Sequence, residues 1–253
     1  MSAAKLPLLA VEHLRKAFDG VVAVDDVGFD VAAGEMVALI GPNGAGKTTC
    51  FNLINGQLAP DAGEVRLAGV RIDGLPSPRI AALGVGRTFQ TAAVFASMTV
   101  RENVQLALLA ATGGQWSMLS RATHAHEAEA DALLERVGAG NLRARTCAML
   151  AYGDLKRVEI AIALAATPRL LLMDEPTAGT AAADRSELMR LTAGIVHDGG
   201  IAALFTEHDM DAVFGYADRV IVLDRGRIIA QGAPALVRAD PRVREVYFGV
   251  EAR

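Results

Sequence analysis

An α/β fold with a mostly parallel central sheet is predicted by three features of the chain. Short apolar runs, residues 36–40 and 170–173, end at a glycine or at acids. Stretches of helical spacing separate such runs, so strand and helix alternate along the sequence. A glycine-rich loop joins the first of these runs to a helix, and ligand-binding turns of parallel sheets lie at such strand ends.

The elements follow in order. Val27, Phe29 and Val31 alternate with polar or small residues as a half-buried strand does, and residues 36–40 form a buried strand closed by Gly41. Residues 64–68 and 71–72 read as short strands around a turn at Gly69, which an antiparallel β subdomain would contain. Residues 100–137 change to helical spacing. Thr99 and Glu102 stand as a capping box requires. Residues 112–120, with Gly113 and Gly114, read as a loop, and residues 122–137 as a second helix ending at Gly138. A further helix is expected over residues 155–166, stopping before Pro168. The buried strand 170–173 then leads into Asp174 and Glu175, followed by a helix at 186–197, a strand at 201–206 and a last set of strands from 217. Neither an internal repeat nor a Pro- or Ser-rich linker is present. A single domain over 1–253 is expected, with a sheet core at about 1–90 and 156–253 and an inserted helical subdomain at about 91–155.

Composition narrows the function classes. The chain is 52% hydrophobic but only 5% aromatic, so alanine, valine and leucine must fill an ample core. A net charge of -4 and a pI near 5.8 argue against nucleic acid as the main partner. The mean hydropathy of +0.29 raises the question of membrane spans. Residues 158–173 are broken by Glu159, Pro168 and Arg169, and 201–205 falls far short of the roughly 20 residues a span needs. No crossing is expected. Residues 1–10 lack the pattern of a secretory signal. Cys50 and Cys147 sit in no metal-ligand spacing and read as buried small side chains in a reducing compartment.

The strongest chemical signal is Gly41, Pro42, Asn43, Gly44, Ala45, Gly46, Lys47, Thr48 and Thr49, which match G-x-x-x-x-G-K-[ST] after a predicted strand. Glycines let backbone N–H groups turn inward around phosphate oxygens, and the helix starting near Gly46 aims its positive end at the same place. Lys47 would reach the β and γ phosphates of a nucleotide, and the Thr48 hydroxyl would ligate magnesium. Downstream, Asp174 would hold the metal through water and Glu175 would polarise an attacking water as general base.

These motifs occur in an order that resembles the ATP-binding subunit of ABC transporters, over essentially the whole chain. Gln90, in Arg87-Thr-Phe-Gln90, is similar to that family's glutamine loop, which touches magnesium and water. Leu150, Ala151, Tyr152, Gly153 and Asp154 stand where the family has its signature, usually Leu-Ser-Gly-Gly-Gln, which the resemblance places against ATP held by a second ATPase subunit. His208 resembles the switch histidine, and Phe18 the aromatic residue that stacks on adenine. The sequence departs from the pattern in two places. Ala151 and Tyr152 replace the usual serine and glycine, and Ala181 stands where an aspartate helps the two sites of a dimer communicate.

The Ala-Tyr-Gly signature, the segments 86–90 and 95–103, and the ending 243–249 are similar to ATPases of branched-chain amino-acid importers, in particular the first of their two paired subunits. The resemblance implies ATP and Mg2+ as ligands, a second ATPase subunit, integral-membrane permease subunits and, indirectly, a periplasmic solute-binding protein. The site of action would be the cytoplasmic face of the inner membrane. The surface near residues 90–98 would grip a permease helix, with Arg101 and Glu102 expected beside it. Urea, an amide or an aromatic acid remain open as cargo. So do a lipid or lipopolysaccharide exporter, a soluble ATPase outside transport, and a regulatory module without turnover.

Overall fold

The computed structural model describes residues 7–88, 93–112 and 126–248. In chain order its strands and helices begin with β1 (Leu9–Phe18), β2 (Val21–Val31), β3 (Met36–Ile40), α1 (Lys47–Ile54), β4 (Ala62–Leu67), β5 (Val70–Arg71), α2 (Ser77–Ala82) and β6 (Val85–Thr88). They continue with α3 (Val100–Ala111), α4 (Glu127–Arg136), α5 (Tyr152–Leu164), β7 (Leu170–Asp174), α6 (Ala182–Gly199) and β8 (Ala202–Thr206). The chain closes with α7 (Met210–Tyr216), β9 (Arg219–Asp224), β10 (Arg227–Gly232), α8 (Pro234–Ala239) and α9 (Pro241–Phe248).

The apolar runs form one six-stranded sheet in the order β10-β9-β3-β8-β7-β6, parallel except at β10. Strands covered on both faces need unbroken apolar sequence, and β3 and β8 are buried at every residue. Alternate side chains divide between two cores. Met36, Ala38 and Ile40 join Leu171, Met173, Ala203 and Phe205 under α3 to α6. Val37, Leu39, Leu170, Leu172 and Leu204 join Phe51 and Ile54 of α1 and the second, antiparallel sheet, β2-β1-β4-β5. Cys50 and Cys147 are free and buried, one in each core.

The predicted capping box exists: Thr99 Oγ1 accepts from Glu102 N at 3.2 Å, and the Glu102 carboxylate accepts from Thr99 N at 2.7 Å. Buried Asn103 extends it, donating to the carbonyls of Thr99 and Phe95 and accepting from Phe95 N at 2.7 Å. Arg101, half-buried, reaches across to α4, donating to Asp131 at 2.7 Å and Glu127 at 2.5 Å. Arg101 therefore joins α3 to α4 and Glu102 caps α3, so charge reversal at either would disturb the fold before it reported on a permease contact.

Some predicted boundaries move. The helix expected at 155 starts at Tyr152, with Gly153 in its first turn beside Asp184 of α6. The helix expected at 186 starts at Ala182, and α2, α7, α8 and α9 have periodicities too short to read. Residues 113–125, with most of the predicted loop and the start of the helix expected from 122, lie outside the described residues. No described helix is long and apolar enough to cross a membrane.

The Arg101 contact holds the Asp131 carboxyl below its ordinary value. A depressed carboxylate stabilises the fold above its unfolded pKa of about 3.9, and that contribution is lost as pH falls through the native value. Arg101→Ala should lower Tm by about 2–4 °C at pH 7. Thermal melts across pH should show the gap from wild type closing below about pH 4.

Candidate active site

Three neighbouring strands deliver the predicted chemistry to one edge of the sheet. Ala38, Phe205 and Met173 lie abreast in the parallel pairings of β3 with β8 and of β8 with β7. The chain leaving each strand therefore emerges at the same level: the glycine loop after β3, Asp174 and Glu175 at the end of β7, and His208 after β8.

The loop 41–46 turns on left-handed glycines, Gly44 at φ +81° and Gly46 at φ +105°. A Cβ on Gly46 would stand 2.4 Å from the Ala23 carbonyl, and one on Gly41 2.2 Å from that of Leu223, so two backbones pack directly on the loop. Asn43, Gly44 and Thr48 face outward, Pro42 and Thr49 are half-buried, and Ala45 is buried. Lys47 opens α1 and is only 9% exposed; its Nζ donates to the carbonyls of Gly41 at 2.7 Å and Pro42 at 3.1 Å. Burial holds the ammonium below its ordinary pKa, with the charges of Glu175 and Asp174 opposing the shift.

Asp174 and Glu175 are held by a residue that motif reading overlooked. Thr206, level with Asp174 on β8, donates its hydroxyl to Asp174 Oδ1 at 2.7 Å. The Glu175 N–H donates in turn to Thr206 Oγ1 at 3.1 Å and to its carbonyl at 3.2 Å. Glu175 takes a left-handed backbone, φ +49°, a strained conformation for a non-glycine residue. Its Oε1 lies 3.0 Å from His208 Nε2, which donates to it when the proton sits on that nitrogen. Arg87 of β6 donates to Asn52 on α1 at 3.1 Å and approaches Asp174 Oδ2 at 3.9 Å, tying the first helix of the loop to the acids. The signal for Thr206 was a hydroxyl closing an otherwise apolar strand.

The remaining predicted residues lie elsewhere. Phe18 ends β1, 42% exposed, with the Lys16 ammonium 5.6 Å from its ring centre. Leu150 is half-buried ahead of α5, and Ala151 is that helix's N-cap, extended and without a side-chain cap. Tyr152, Gly153 and Asp154 form the first turn, and the Tyr152 ring packs on Gly179, where a Cβ would come within 2.8 Å. Ala181 likewise N-caps α6 without a side-chain bond. Gln90 lies outside the described residues.

Among the described residues no three His, Cys, Asp or Glu side chains gather as a metal site. The donors present, the outward Thr48 hydroxyl and the Asp174 carboxylate, are hard oxygens. They suit a magnesium ion that takes most of its shell from water and phosphate.

A family profile described as "ABC transporter" matches residues 24–178, and one described as "Branched-chain amino acid ATP-binding cassette transporter" matches residues 227–253. The chain is 39% identical over 250 residues to the high-affinity branched-chain amino acid transport ATP-binding protein LivG of Salmonella typhimurium, covering 96% of this chain and 98% of that one. It is 36% identical, over the same shares, to the corresponding protein BraF of Pseudomonas aeruginosa. Among solved structures, the ADP conformation of an ATP-binding cassette of an ABC transporter superposes with a TM-score of 0.86 at 32% identity, covering 97% of this chain and 100% of that one.

Gly46→Ala should combine a strained left-handed alanine, about 1–3 kcal/mol, with a clash against Ala23. A lower Tm and loss of ATP binding, followed by a fluorescent ATP analogue, are the expected outcomes.

Proposed function

The chain belongs to the ATP-binding subunits of ABC transporters, and we propose that its ATP hydrolysis powers a membrane importer whose cargo is branched-chain amino acids. One observation carries the catalytic reading: Lys47, Asp174, Glu175 and His208 converge at the carboxyl ends of three adjacent strands, with Glu175 and His208 3.0 Å apart. The similarity of the C-terminal 27 residues to the branched-chain amino-acid cassettes, and of the whole chain to LivG and BraF, supports the cargo.

The chemistry follows from the groups present. ATP phosphates would take the inward N–H groups of residues 41–47 and displace the Gly41 and Pro42 carbonyls as partners of the Lys47 ammonium. Phe18 would stack on the adenine. Magnesium, when bound, supplies charge neutralisation at the β and γ phosphates, and Thr48, Asp174 and Gln90 are the residues to hold it. Glu175 would take a proton from the attacking water while His208 fixes the carboxylate's orientation and contacts the γ phosphate. Thr206 keeps Asp174 and Glu175 in register for these separate tasks.

Turnover on this reading needs a second ATPase subunit, whose residues equivalent to 150–154 close over the bound nucleotide. Closure would move a helical subdomain of about residues 91–155 against the sheet core and so work the permease at the cytoplasmic membrane face. Phe95 is suited to that contact. It is 58% exposed, yet its backbone is pinned on both sides by Asn103. A periplasmic binding protein would deliver the amino acid to the far side.

Glu175→Gln should retain ATP binding and lose hydrolysis by about 10²-fold or more, measured as phosphate release by the subunit with its partners. Normal turnover in that variant would overturn the assignment of the base. Phe95→Asp should leave nucleotide binding intact and abolish co-sedimentation with permease-containing membranes. Undiminished membrane association would exclude this face as the contact.

A further inference from the structure

We propose that Glu207 is a positioning residue for hydrolysis, holding Glu175 and His208 at working distance by clamping the loop that follows Glu175. The proposal rests on the assignment of those two residues as the hydrolytic pair. Glu207 lies between Thr206 and His208 and is 5% exposed. A carboxylate buried to that degree is destabilising unless donors surround it. Here Oε1 accepts from Thr177 N at 2.8 Å and from Thr177 Oγ1 at 2.6 Å, while Oε2 accepts from His208 N at 3.2 Å. Thr177 is two residues beyond Glu175, and His208 carries the imidazole. One side chain thus spans the two segments whose separation sets the Glu175–His208 contact.

The far side of the loop is held from the same turn. Thr180 Oγ1 donates to the Thr177 carbonyl at 2.6 Å, and the Thr180 carbonyl accepts from Arg185 at 3.3 Å. Arg185 also pairs with Asp209, which keeps the Asp209 carboxyl below its ordinary value. The acids on either side of His208 therefore both anchor the 176–181 loop, Glu207 directly and Asp209 through Arg185. Closure of that ring gives the strained Glu175 backbone a rigid support.

Glu207→Gln preserves size and burial but replaces one acceptor by an N–H group, which cannot serve a donor. With its oxygen toward Thr177, the amide nitrogen meets the His208 N–H; flipped, it meets the Thr177 N–H, and the Thr177 hydroxyl must turn from donor to acceptor. Thr177→Val removes only the hydroxyl donor, and Thr177→Ser keeps both donors.

Two readouts on the full-length chain decide the matter. The first is the His208 ring signal in 15N-histidine NMR without nucleotide, assigned with His208→Ala. The second is MgATP turnover with the partner subunits. For Glu207→Gln the His208 ring signal should shift, as it should in Glu175→Gln. Turnover number should fall about 10- to 100-fold with KM within about threefold, while Tm falls by about 10 °C at most and ATP binding is kept. Thr177→Ser should exceed Thr177→Val at least about fivefold in kcat. An unmoved His208 signal in Glu207→Gln overturns the proposal. So does a parallel loss of kcat, ATP binding and Tm in both Glu207→Gln and Thr177→Val, because that pattern marks a merely structural role. If wild type itself shows no turnover, the hydrolysis assignment fails separately, and the His208 signal still decides whether Glu207 sets the pair.

Discussion

The parallel alignment of β3, β8 and β7 is the constraint on which the site depends. With Ala38, Phe205 and Met173 abreast, a slip of one residue in either pairing would turn the side chains of that strand to the opposite core. It would also displace the phosphate loop, the acids or the histidine by about 3.3 Å along the strand. The burial of these strands on both faces forbids such a slip, since one face already fits α3 to α6 and the other α1 and the antiparallel sheet. Stability of the core and accuracy of the site are thus one requirement.

Within that frame the polar groups are arranged as a graded series. Lys47 is buried against two backbone carbonyls, a poor substitute for phosphate, and its lowered pKa records the lack of full compensation by Asp174 and Glu175. Thr206 separates the two acids by function. It donates its hydroxyl to Asp174 while accepting the backbone of Glu175, and the Glu175 carboxylate reaches His208. A single hydroxyl thus fixes both acids without occupying the carboxylate proposed to meet water.

Much of this was legible in the sequence because it is local. The glycines of the loop, the lysine at the helix start and the Thr99–Glu102 box are each defined within a few residues, and the structure places them as read. The apolar runs of β3, β7 and β8 were equally plain, since a doubly covered strand has no polar residue to blur it. Thr206, Arg87 and Glu207 were not legible in the same way. Their roles arise across 30 or more residues, between strands whose pairing no local pattern specifies. The short helices α2, α7, α8 and α9 have at most eight residues, too few for a period to establish itself.

The two departures from the family pattern acquire a common meaning in three dimensions. Ala151 and Ala181 are separated by 30 residues, yet each is the N-cap of a helix and each lacks a side-chain acceptor. Substituting alanine for a capping Ser or Asp costs about 0.5–2 kcal/mol per helix, so both helix starts give up stability. The helices also meet at those starts. Tyr152, in the first turn of α5, packs its ring on Gly179, two residues ahead of Ala181, so tightly that no β-carbon fits between them. A larger residue at 152 therefore supplies contact to the loop that has lost its aspartate. On the proposed closure, the first turn of α5, whose N-cap Ala151 offers no side-chain acceptor, would meet the phosphates held by a neighbouring subunit with its backbone N–H groups. On that reading, coupling between the signature turn and the loop beyond Glu175 would run through the Tyr152 ring packed on Gly179 within one subunit.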